Sequence, residues 1–251
     1  MHVAETFEIN GIQMYCEVRG DGEPLVLLHG GTGAGSDWRY VFDEPLEGFR
    51  TIIPDMRGHG HSTNPSGKFT FRQVASDVLA LLDRLGVERF KAMGMSAGAK
   101  TLLHMATTQP ARVDAMVLVS AAPYFPQQAR AIMARTHADN LTAEEWKVMR
   151  QRHVHGDEQI RALHEQMRAL KDSYDDMNFT PPYLSTITAR TLLVHGDRDP
   201  LYPVSMAVEM YTAIPGAALW IVPNGGHGPI FGSMAPRFRE TALEFLALDN
   251  A

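Results

Sequence analysis

Residues 92–99 read Ala-Met-Gly-Met-Ser-Ala-Gly-Ala, and this stretch decides the fold. The apolar run before Ser96 predicts a buried strand, and residues 101–108 have the spacing of a helix. A turn from strand to helix within a few residues often forces positive φ on the residue at the bend, at a cost of roughly 1–3 kcal/mol. Gly94 and Gly98 remove the side chains that would collide across this bend. The sequence therefore predicts that Ser96 stands at the carboxyl edge of a sheet with its hydroxyl exposed.

Short runs rich in Val, Ile and Leu predict further buried strands on both sides of this bend. They cover residues 24–29, 50–54, 89–95, 114–120, 191–195 and 218–222. Asn10-Gly11 separates the runs TFEI and MYCEV and favours a two-residue hairpin, so the sheet should begin with an antiparallel ribbon. Helical spacing follows the strands, as in residues 71–85, where Thr70 can cap a helix and Gly86 can end it. This alternation predicts an α/β fold with a mostly parallel sheet covered on both faces.

The pattern changes between about residues 123 and 186. Gly156 is the one glycine there, out of 21 in the chain, and strand-like runs are absent. Thr142 and Glu145 form a plausible capping box for one helix, and Asp157 is placed to cap a second. We expect this segment to be a helical insertion within a single domain that spans residues 1–251.

Composition and charge exclude several classes of partner. The formal net charge of −6 gives no basic surface for a nucleic acid or an anionic membrane. No run reaches the ~18 apolar residues that a membrane span needs, and the N-terminal residues lack the pattern of a signal peptide. The single cysteine, Cys16, cannot form an internal disulfide. We expect a cytoplasmic protein that acts on a small molecule, while its oligomeric state cannot be predicted.

The serine at the bend needs partners, because a hydroxyl is a weak nucleophile near neutral pH. His227 is the candidate base, since it lies between glycines in the loop PNGGHGP after the last predicted strand. Asp197 and Asp199 both follow the strand at 191–195, at the edge where ligands gather in open α/β sheets. Asp199 is the preferred acid and Asp197 the preferred turn residue. Ser96, Asp199 and His227 are therefore the candidate catalytic residues.

The end of another predicted strand can supply backbone donors for an oxyanion. The run GGTGAG at 30–35 fits neither common phosphate-loop pattern, so its glycines favour close approach of the backbone to a substrate oxygen. The N–H of Gly31 is the first candidate donor and that of Thr32 the second. The N–H of Ala97, at the positive end of its helix, is the other candidate.

Five motifs, in this order, resemble those of the α/β-hydrolase superfamily. They are HGG at 29–31, DMRGHGHS at 55–62, GMSAG at 94–98, HGDRD at 195–199 and GHG at 226–228. The resemblance implies an eight-stranded, mostly parallel sheet, with residues 123–186 as a cap over the active site. It implies Ser96 as nucleophile, Asp199 as acid and His227 as base, with the amides of Gly31 and Ala97 as the oxyanion hole. It further implies structural roles in the second motif for Asp55, Arg57 and His59.

The expected function is hydrolysis of a small carboxylic ester, thioester or lactone through an acyl-enzyme, with no metal or organic cofactor. The same residues could hydrolyse a carbon–carbon bond in a β-diketone or ring-cleavage product, or catalyse cofactor-free perhydrolysis. A non-enzymatic small-molecule receptor on the same scaffold is an alternative of another class. The cap should supply an apolar pocket. Its candidate lining residues are Thr32, Phe125, Trp146 and Met149, with Tyr124 and Met133 as further possibilities.

Overall fold

Eight strands form one sheet at the centre of the protein, as seen in a computed structural model that describes residues 2–248. The strands are β1 (His2–Ile9), β2 (Ile12–Arg19), β3 (Glu23–Leu28), β4 (Phe49–Pro54), β5 (Phe90–Met95), β6 (Val113–Val119), β7 (Arg190–Gly196) and β8 (Ala218–Val222). They lie in the order β1-β2-β4-β3-β5-β6-β7-β8. The pairs β1–β2 and β2–β4 are antiparallel, and all later neighbours are parallel. The predicted eight-stranded, mostly parallel sheet is confirmed.

Eight α-helices accompany the sheet within residues 2–248. They are α1 (Phe71–Arg84), α2 (Ala97–Thr108), α3 (Gln127–Met133), α4 (Ala143–Arg152), α5 (Asp157–Ala169), α6 (Pro181–Leu184), α7 (Val204–Ala213) and α8 (Ala235–Ala247). In the described part of the chain, no helix is long and apolar enough to cross a membrane.

Both faces of the central strands β3 to β7 are buried, which explains why these strands read as continuous apolar runs. Successive residues of β3 point to opposite faces: Val26 and Leu28 join one core cluster, and Leu25 and Leu27 join the other. The first cluster includes residues of α1, α2 and α7, and the second includes residues of α8. The central strands are thus clamped between two helical layers, and their carboxyl ends lie at one edge of the sheet.

The segment between β6 and β7 carries the helices α3 to α6. The predicted capping box is present at α4, where Thr142 Oγ1 accepts from the Glu145 N–H and Glu145 accepts from the Thr142 N–H. The prediction that Asp157 caps α5 is wrong. Gly156, at φ +89°, precedes the helix as its capping residue, and the Asp157 carboxylate pairs with Arg150 at 2.7 and 2.8 Å.

The loop after β4 is held by its own polar side chains, in agreement with the structural roles that the resemblance implied. Asp55 accepts hydrogen bonds from the backbone N–H groups of Gly35 and His61, both at 2.8 Å. Arg57 donates twice to Asp77 of α1, at 2.8 and 3.1 Å, and both side chains are buried. The loop is therefore fixed to two neighbouring elements.

We expect Arg57→Ala to destabilise the fold by about 3–5 kcal/mol, because it removes the charge partner of a buried carboxylate. Urea unfolding measures the change. The matched control is Arg239→Ala, which breaks an exposed ion pair with Asp43 and should change the free energy of unfolding by less than about 1 kcal/mol. Equal effects of the two substitutions would contradict the assignment of Arg57 to a buried structural pair.

Candidate active site

Ser96 occupies a strained bend between β5 and α2, with φ +50° and ψ −103°. The sequence argument is correct for Gly94, since a Cβ there would lie 2.6 Å from the carbonyl carbon of Gly98. Position 98 needs glycine for a different reason, because its Cβ would lie 2.3 Å from the carbonyl oxygen of Leu28 in β3. The Ser96 N–H donates to the Val119 carbonyl at 2.8 Å and so ties the bend to β6. The bend leaves Ser96 half-buried at the wall of a cavity.

Two hydrogen bonds join Ser96 to His227 and His227 to Asp199. His227 Nε2 lies 2.8 Å from Ser96 Oγ, and His227 Nδ1 lies 2.8 Å from Asp199 Oδ2. An ionised carboxylate can only accept, so Nδ1 carries the proton and Nε2 accepts from the Ser96 hydroxyl. The imidazole is therefore held in the tautomer that can take a proton from the serine.

The Asp199 side chain is fully buried and well supplied with donors. Its Oδ1 accepts from the backbone N–H groups of Leu201 at 2.8 Å and Tyr202 at 3.2 Å. Burial alone would raise the pKa of this carboxyl, but the hydrogen bond and charge of His227 and the two backbone donors outweigh it. The pKa of Asp199 therefore lies below its usual value, and the group is ionised at neutral pH.

The loop that carries His227 closes directly on the end of β7. A Cβ on Gly196 would lie 2.3 Å from the Gly225 carbonyl oxygen, so only glycine permits this approach. Arg198 donates its N–H to the same Gly225 carbonyl at 2.9 Å. Asp197 is exposed on this turn, as expected of a turn residue, whereas Asp199 faces inward. The close contact between the two loops is what brings Asp199 and His227 together.

The candidate backbone donors lie beside Ser96. Gly30 and Gly31 follow β3, and a Cβ on Gly30 would be 3.9 Å from the Ser96 Cβ. Thr32 has φ +56°, which turns the chain away after Gly31. Within residues 2–248, neither the Gly31 N–H nor the Ala97 N–H makes a hydrogen bond. Two free amides thus lie next to the serine, one on each side of the gap between β3 and α2.

A cavity of about 230 Å³ opens in front of Ser96 and His227. Its wall is mostly apolar and comes from α1, α2, the insertion and the loop after β7. Phe125, Met133 and Thr32 line it, as the sequence analysis expected. Further lining side chains are Phe71, Met167, Leu170, Leu201 and Tyr202. Because an engineered cavity of ~150 Å³ holds benzene, this volume suits an acyl or aryl group of modest size.

Two residues that the sequence analysis placed in the pocket lie elsewhere. The indole of Trp146 lies beside the guanidinium groups of Arg150 and Arg161, whose central carbons are 5.1 and 5.3 Å from the ring centre. Met149 is buried but does not line the cavity, because α4 packs on α5 rather than over Ser96. Tyr124, a further candidate, is partly exposed and donates its hydroxyl to Glu209. These corrections share one cause: the packing of a helical insertion cannot be read from the spacing of its aromatic residues.

A second cavity, of about 460 Å³, lies on the other side of the Gly30–Thr32 segment. It shares Gly30, Gly31, Thr32 and Met95 with the first cavity, and it is also lined by Trp38, Tyr40, Arg152 and Phe231. The two cavities therefore meet at the candidate amide donor of Gly31.

Three buried histidines, His29, His59 and His153, lie behind the Gly30–Thr32 segment. Burial lowers the pKa of all three imidazoles, and that of His153 to about 4. All three histidines are therefore neutral at pH 7. His153 Nδ1 accepts from the Gly60 N–H at 2.9 Å, so its Nε2 carries the proton and donates to the Thr32 carbonyl at 3.0 Å. No cluster of His, Cys, Asp and Glu among residues 2–248 could hold a metal ion. His153 instead connects the insertion to the loop that carries the Gly31 amide.

Two residues of this site were missed by the sequence analysis. His153 was not among the candidate residues, and its contact with Thr32 joins positions that are 121 residues apart in the chain. Lys100 lines the cavity although it is a lysine in the first turns of α2. A signal was present, since position 100 comes four residues after Ser96, about one helical turn further on.

The fold and the site define an α/β enzyme scaffold with a serine, a histidine and an aspartate aligned at the carboxyl edge of its sheet. The family described as alpha/beta hydrolase fold matches residues 23–186, and a second, described as TAP-like protein, matches residues 174–247. The chain belongs to the α/β-hydrolase fold family.

Individual relatives cover nearly the whole chain. The 2-hydroxymuconate semialdehyde hydrolase of Pseudomonas sp. (strain CF600) is 27% identical over 96% of this chain and 93% of its own. The solved structure of the enol-lactonase from Burkholderia xenovorans LB400 is 25% identical with a TM-score of 0.78, over 97% of this chain and 100% of that one. Carboxylesterase CesB from Bacillus subtilis is 25% identical with a TM-score of 0.76, over 98% of this chain and 92% of that one.

Proposed function

We propose that the protein is a serine hydrolase that cleaves a small carboxylic ester, thioester or lactone through an acyl-enzyme. The observation that carries this proposal is the unbroken series of 2.8 Å hydrogen bonds from Asp199 through His227 to Ser96 at a strained bend. The enol-lactonase and the carboxylesterase among the similar structures support the same class of substrate.

In the proposed reaction, Ser96 Oγ attacks the substrate carbonyl while His227 Nε2 takes its proton. The carbonyl oxygen becomes an oxyanion that the N–H groups of Gly31 and Ala97 stabilise, each by on the order of 3 kcal/mol. The intermediate collapses, and the leaving alcohol or thiol takes the proton from Nε2. Water then attacks the acyl-enzyme with His227 as base, releasing the acid and restoring Ser96. Asp199 stays ionised throughout and stabilises the imidazolium that forms twice in the cycle.

We assign the two cavities to the two halves of the substrate. The 230 Å³ cavity contains Ser96 and His227 and would take the acyl group. The 460 Å³ cavity, beyond Gly31, would take the leaving group. The segment 123–186 would act as the cap, because Met133 and Met167 cover the acyl side and the Met167 sulfur lies 2.8 Å from the place of a Gly31 Cβ. The substrate carbonyl group would then lie where the two cavities meet, within reach of the oxyanion donors.

Hydrolysis of a carbon–carbon bond is the second candidate. The relative from Pseudomonas supports it, since it is named a 2-hydroxymuconate semialdehyde hydrolase and matches nearly the full chain. The same Ser96, His227 and Asp199 would serve, because a β-diketone also presents a carbonyl to the serine. The two candidates differ in the atom of the leaving group, which is carbon for a β-diketone and oxygen or sulfur for an ester, lactone or thioester.

A substrate panel with active-site labelling tests both candidates. Purified protein is incubated with short-chain ethyl esters, lactones and β-diketones, and the products are separated by chromatography. A fluorophosphonate should label Ser96 stoichiometrically and abolish turnover, as peptide mass spectrometry can show. Turnover of esters or lactones above diketones supports the first candidate, and the reverse supports the second. Absence of both turnover and labelling would overturn the proposal in favour of a binding protein.

His153→Ala should lower kcat by about tenfold with little change in KM, because Thr32 and Gly60 lose their shared support and the Gly31 amide is no longer held in place. His153→Gln should restore much of the rate, since an amide side chain can accept from Gly60 and donate to Thr32. His155→Ala is the matched control, two residues away, exposed, and bonded to the His61 carbonyl. Steady-state kinetics on one ester measures both variants, and an equal loss of kcat in His153→Ala and His155→Ala would contradict this role.

A further inference from the structure

Lys100 lies one helical turn after Ser96 and is buried, with 2% of its surface exposed. Its backbone N–H donates to the Ser96 carbonyl at 3.0 Å, so the first turn of α2 joins the two residues. It lines the same 230 Å³ cavity that contains Ser96 and His227. The proposed mechanism assigns no task to this cation.

The ammonium is surrounded by aromatic rings rather than by acceptors. Its Nζ lies 4.5 Å from the ring centre of Tyr202 and 5.9 Å from those of Phe71 and Phe125. Among the residues that the structure describes, the ammonium of Lys100 has no hydrogen-bond acceptor and no ion-pair partner. The nearby charge of Asp199 acts on it, but that carboxylate is occupied by His227 and two backbone donors.

An unpaired charge in such a place is unfavourable for folding. Burial lowers the pKa of Lys100 to about 7, which shows how poorly the charged form is accommodated without a ligand. The contrast is Lys91 of β5, which is also buried but pairs with Glu23 at 2.7 Å. A position that only had to fill space beside three aromatic rings would be served better by methionine or leucine.

We propose that Lys100 binds a carboxylate carried at the far end of the substrate's acyl group, and so selects esters or lactones whose acid part is itself anionic. The inference rests on the proposed function, because it takes the 230 Å³ cavity as the acyl site. A bound carboxylate would supply the partner that the chain lacks. It would leave the apolar wall to contact the methylene groups between the two carboxyl carbons.

A monoanion fits the site better than a phosphate. One ammonium supplies a single positive charge, whereas a phosphate monoester carries about −1.5 to −2 at pH 7. Tyr202 lines the same cavity, and its hydroxyl makes no hydrogen bond within residues 2–248, so we assign it as the donor to the second carboxylate oxygen. One cation and one neutral donor match the two oxygens of a carboxylate.

The test compares two esters of the same shape that differ in charge. Monoethyl glutarate ends in a carboxylate, and ethyl 5-methylhexanoate ends in an uncharged isopropyl group. We expect the wild-type ratio of kcat/KM, anionic over neutral, to exceed tenfold, and Lys100→Met to lower that ratio at least tenfold. Lys100→Arg should retain a preference for the anionic ester. Lys91→Met is the control. It also removes the charge of a buried lysine, but at a position five residues before Ser96, which is roughly 16 Å along β5.

The pH dependence gives a second measurement that needs no variant. Tyr202 and His227 share the cavity with Lys100, and Asp199 acts on it through its charge. Effects of pH on the catalytic steps that the two esters share are the same for both and cancel in the ratio. Below pH 7 Lys100 is charged and binds the carboxylate. Above pH 7 it becomes neutral, so the ratio should fall by up to about tenfold per pH unit.

The outcomes separate the two proposals. A ratio that neither Lys100→Met nor pH changes would overturn the role of Lys100 while leaving the hydrolase intact. Turnover of neither ester would count against the proposed function. Calorimetric binding of the two intact esters to wild type and Lys100→Met then decides the inference. Selective binding of monoethyl glutarate that the variant loses supports it, and equal binding of the two esters overturns it.

Discussion

Ser96→Ala should lower kcat/KM for any ester that the wild-type protein hydrolyses by about 10⁴-fold or more. The substitution removes the oxygen that forms the acyl-enzyme, and water would have to attack the substrate carbonyl directly. A small residual rate is expected because the Gly31 and Ala97 amides remain and still polarise that carbonyl. Steady-state kinetics with an active-site titration of the wild-type preparation would measure the loss.

Ser120→Ala is the matched control for this prediction. Ser120 also follows a parallel strand, and its φ of +49° is nearly that of Ser96, but its side chain is fully buried. Its hydroxyl makes no hydrogen bond to the described residues and does not line the cavity. We expect turnover within twofold of wild type. Comparable losses in the two variants would point to disturbed strand ends, and a full rate in Ser96→Ala would reject the serine mechanism.

Asp199→Asn should also lower kcat by about 10⁴-fold, although it changes one atom. The amide NH₂ of an asparagine can donate to His227 Nδ1, which leaves the ring proton on Nε2. That tautomer cannot accept the proton of Ser96, and the negative charge that stabilises the imidazolium is also lost. The rate should be measured at several pH values, with circular dichroism to establish that the fold is retained.

Asp197→Asn provides the comparison on the same loop. Asp197 is exposed and two residues from Asp199, so the same chemical change there should leave kcat within about twofold. If Asp197→Asn were the more damaging variant, the acid would be misassigned. Equal and small effects would mean that His227 is oriented by other contacts.

Residues that stand at strand ends could be identified from the sequence because topology alone places them together. Six buried strands were predicted to within one residue at either end, and the carboxyl ends of parallel strands share one edge. Ser96, Asp199 and His227 each follow such a strand, and the structure brings them into hydrogen-bond contact. Their catalytic roles stay a prediction until the variants are measured.

Residues of the insertion could not be placed in this way. Trp146 and Met149 are of the residue types that often line apolar pockets. The position of α4, however, depends on contacts between residues distant in sequence, such as that of Arg161 with Trp146. His153 depends on Gly60 and Thr32, which lie on two different loops of the sheet domain. Local spacing determines which face of a helix is apolar, and it does not determine which neighbour covers that face.

The bond between His153 and the Thr32 carbonyl has a consequence for turnover. It joins the end of α4 to the loop that presents the Gly31 amide, so a ligand that enters by lifting the insertion must break it. The site would then be unable to admit a ligand and to cleave its bond at the same time. When the insertion is open, the Gly31 amide would lack the support of His153, and attack by water would be slow. Such an arrangement would couple opening of the helical insertion to loss of the oxyanion site, so that only the closed protein is competent for reaction.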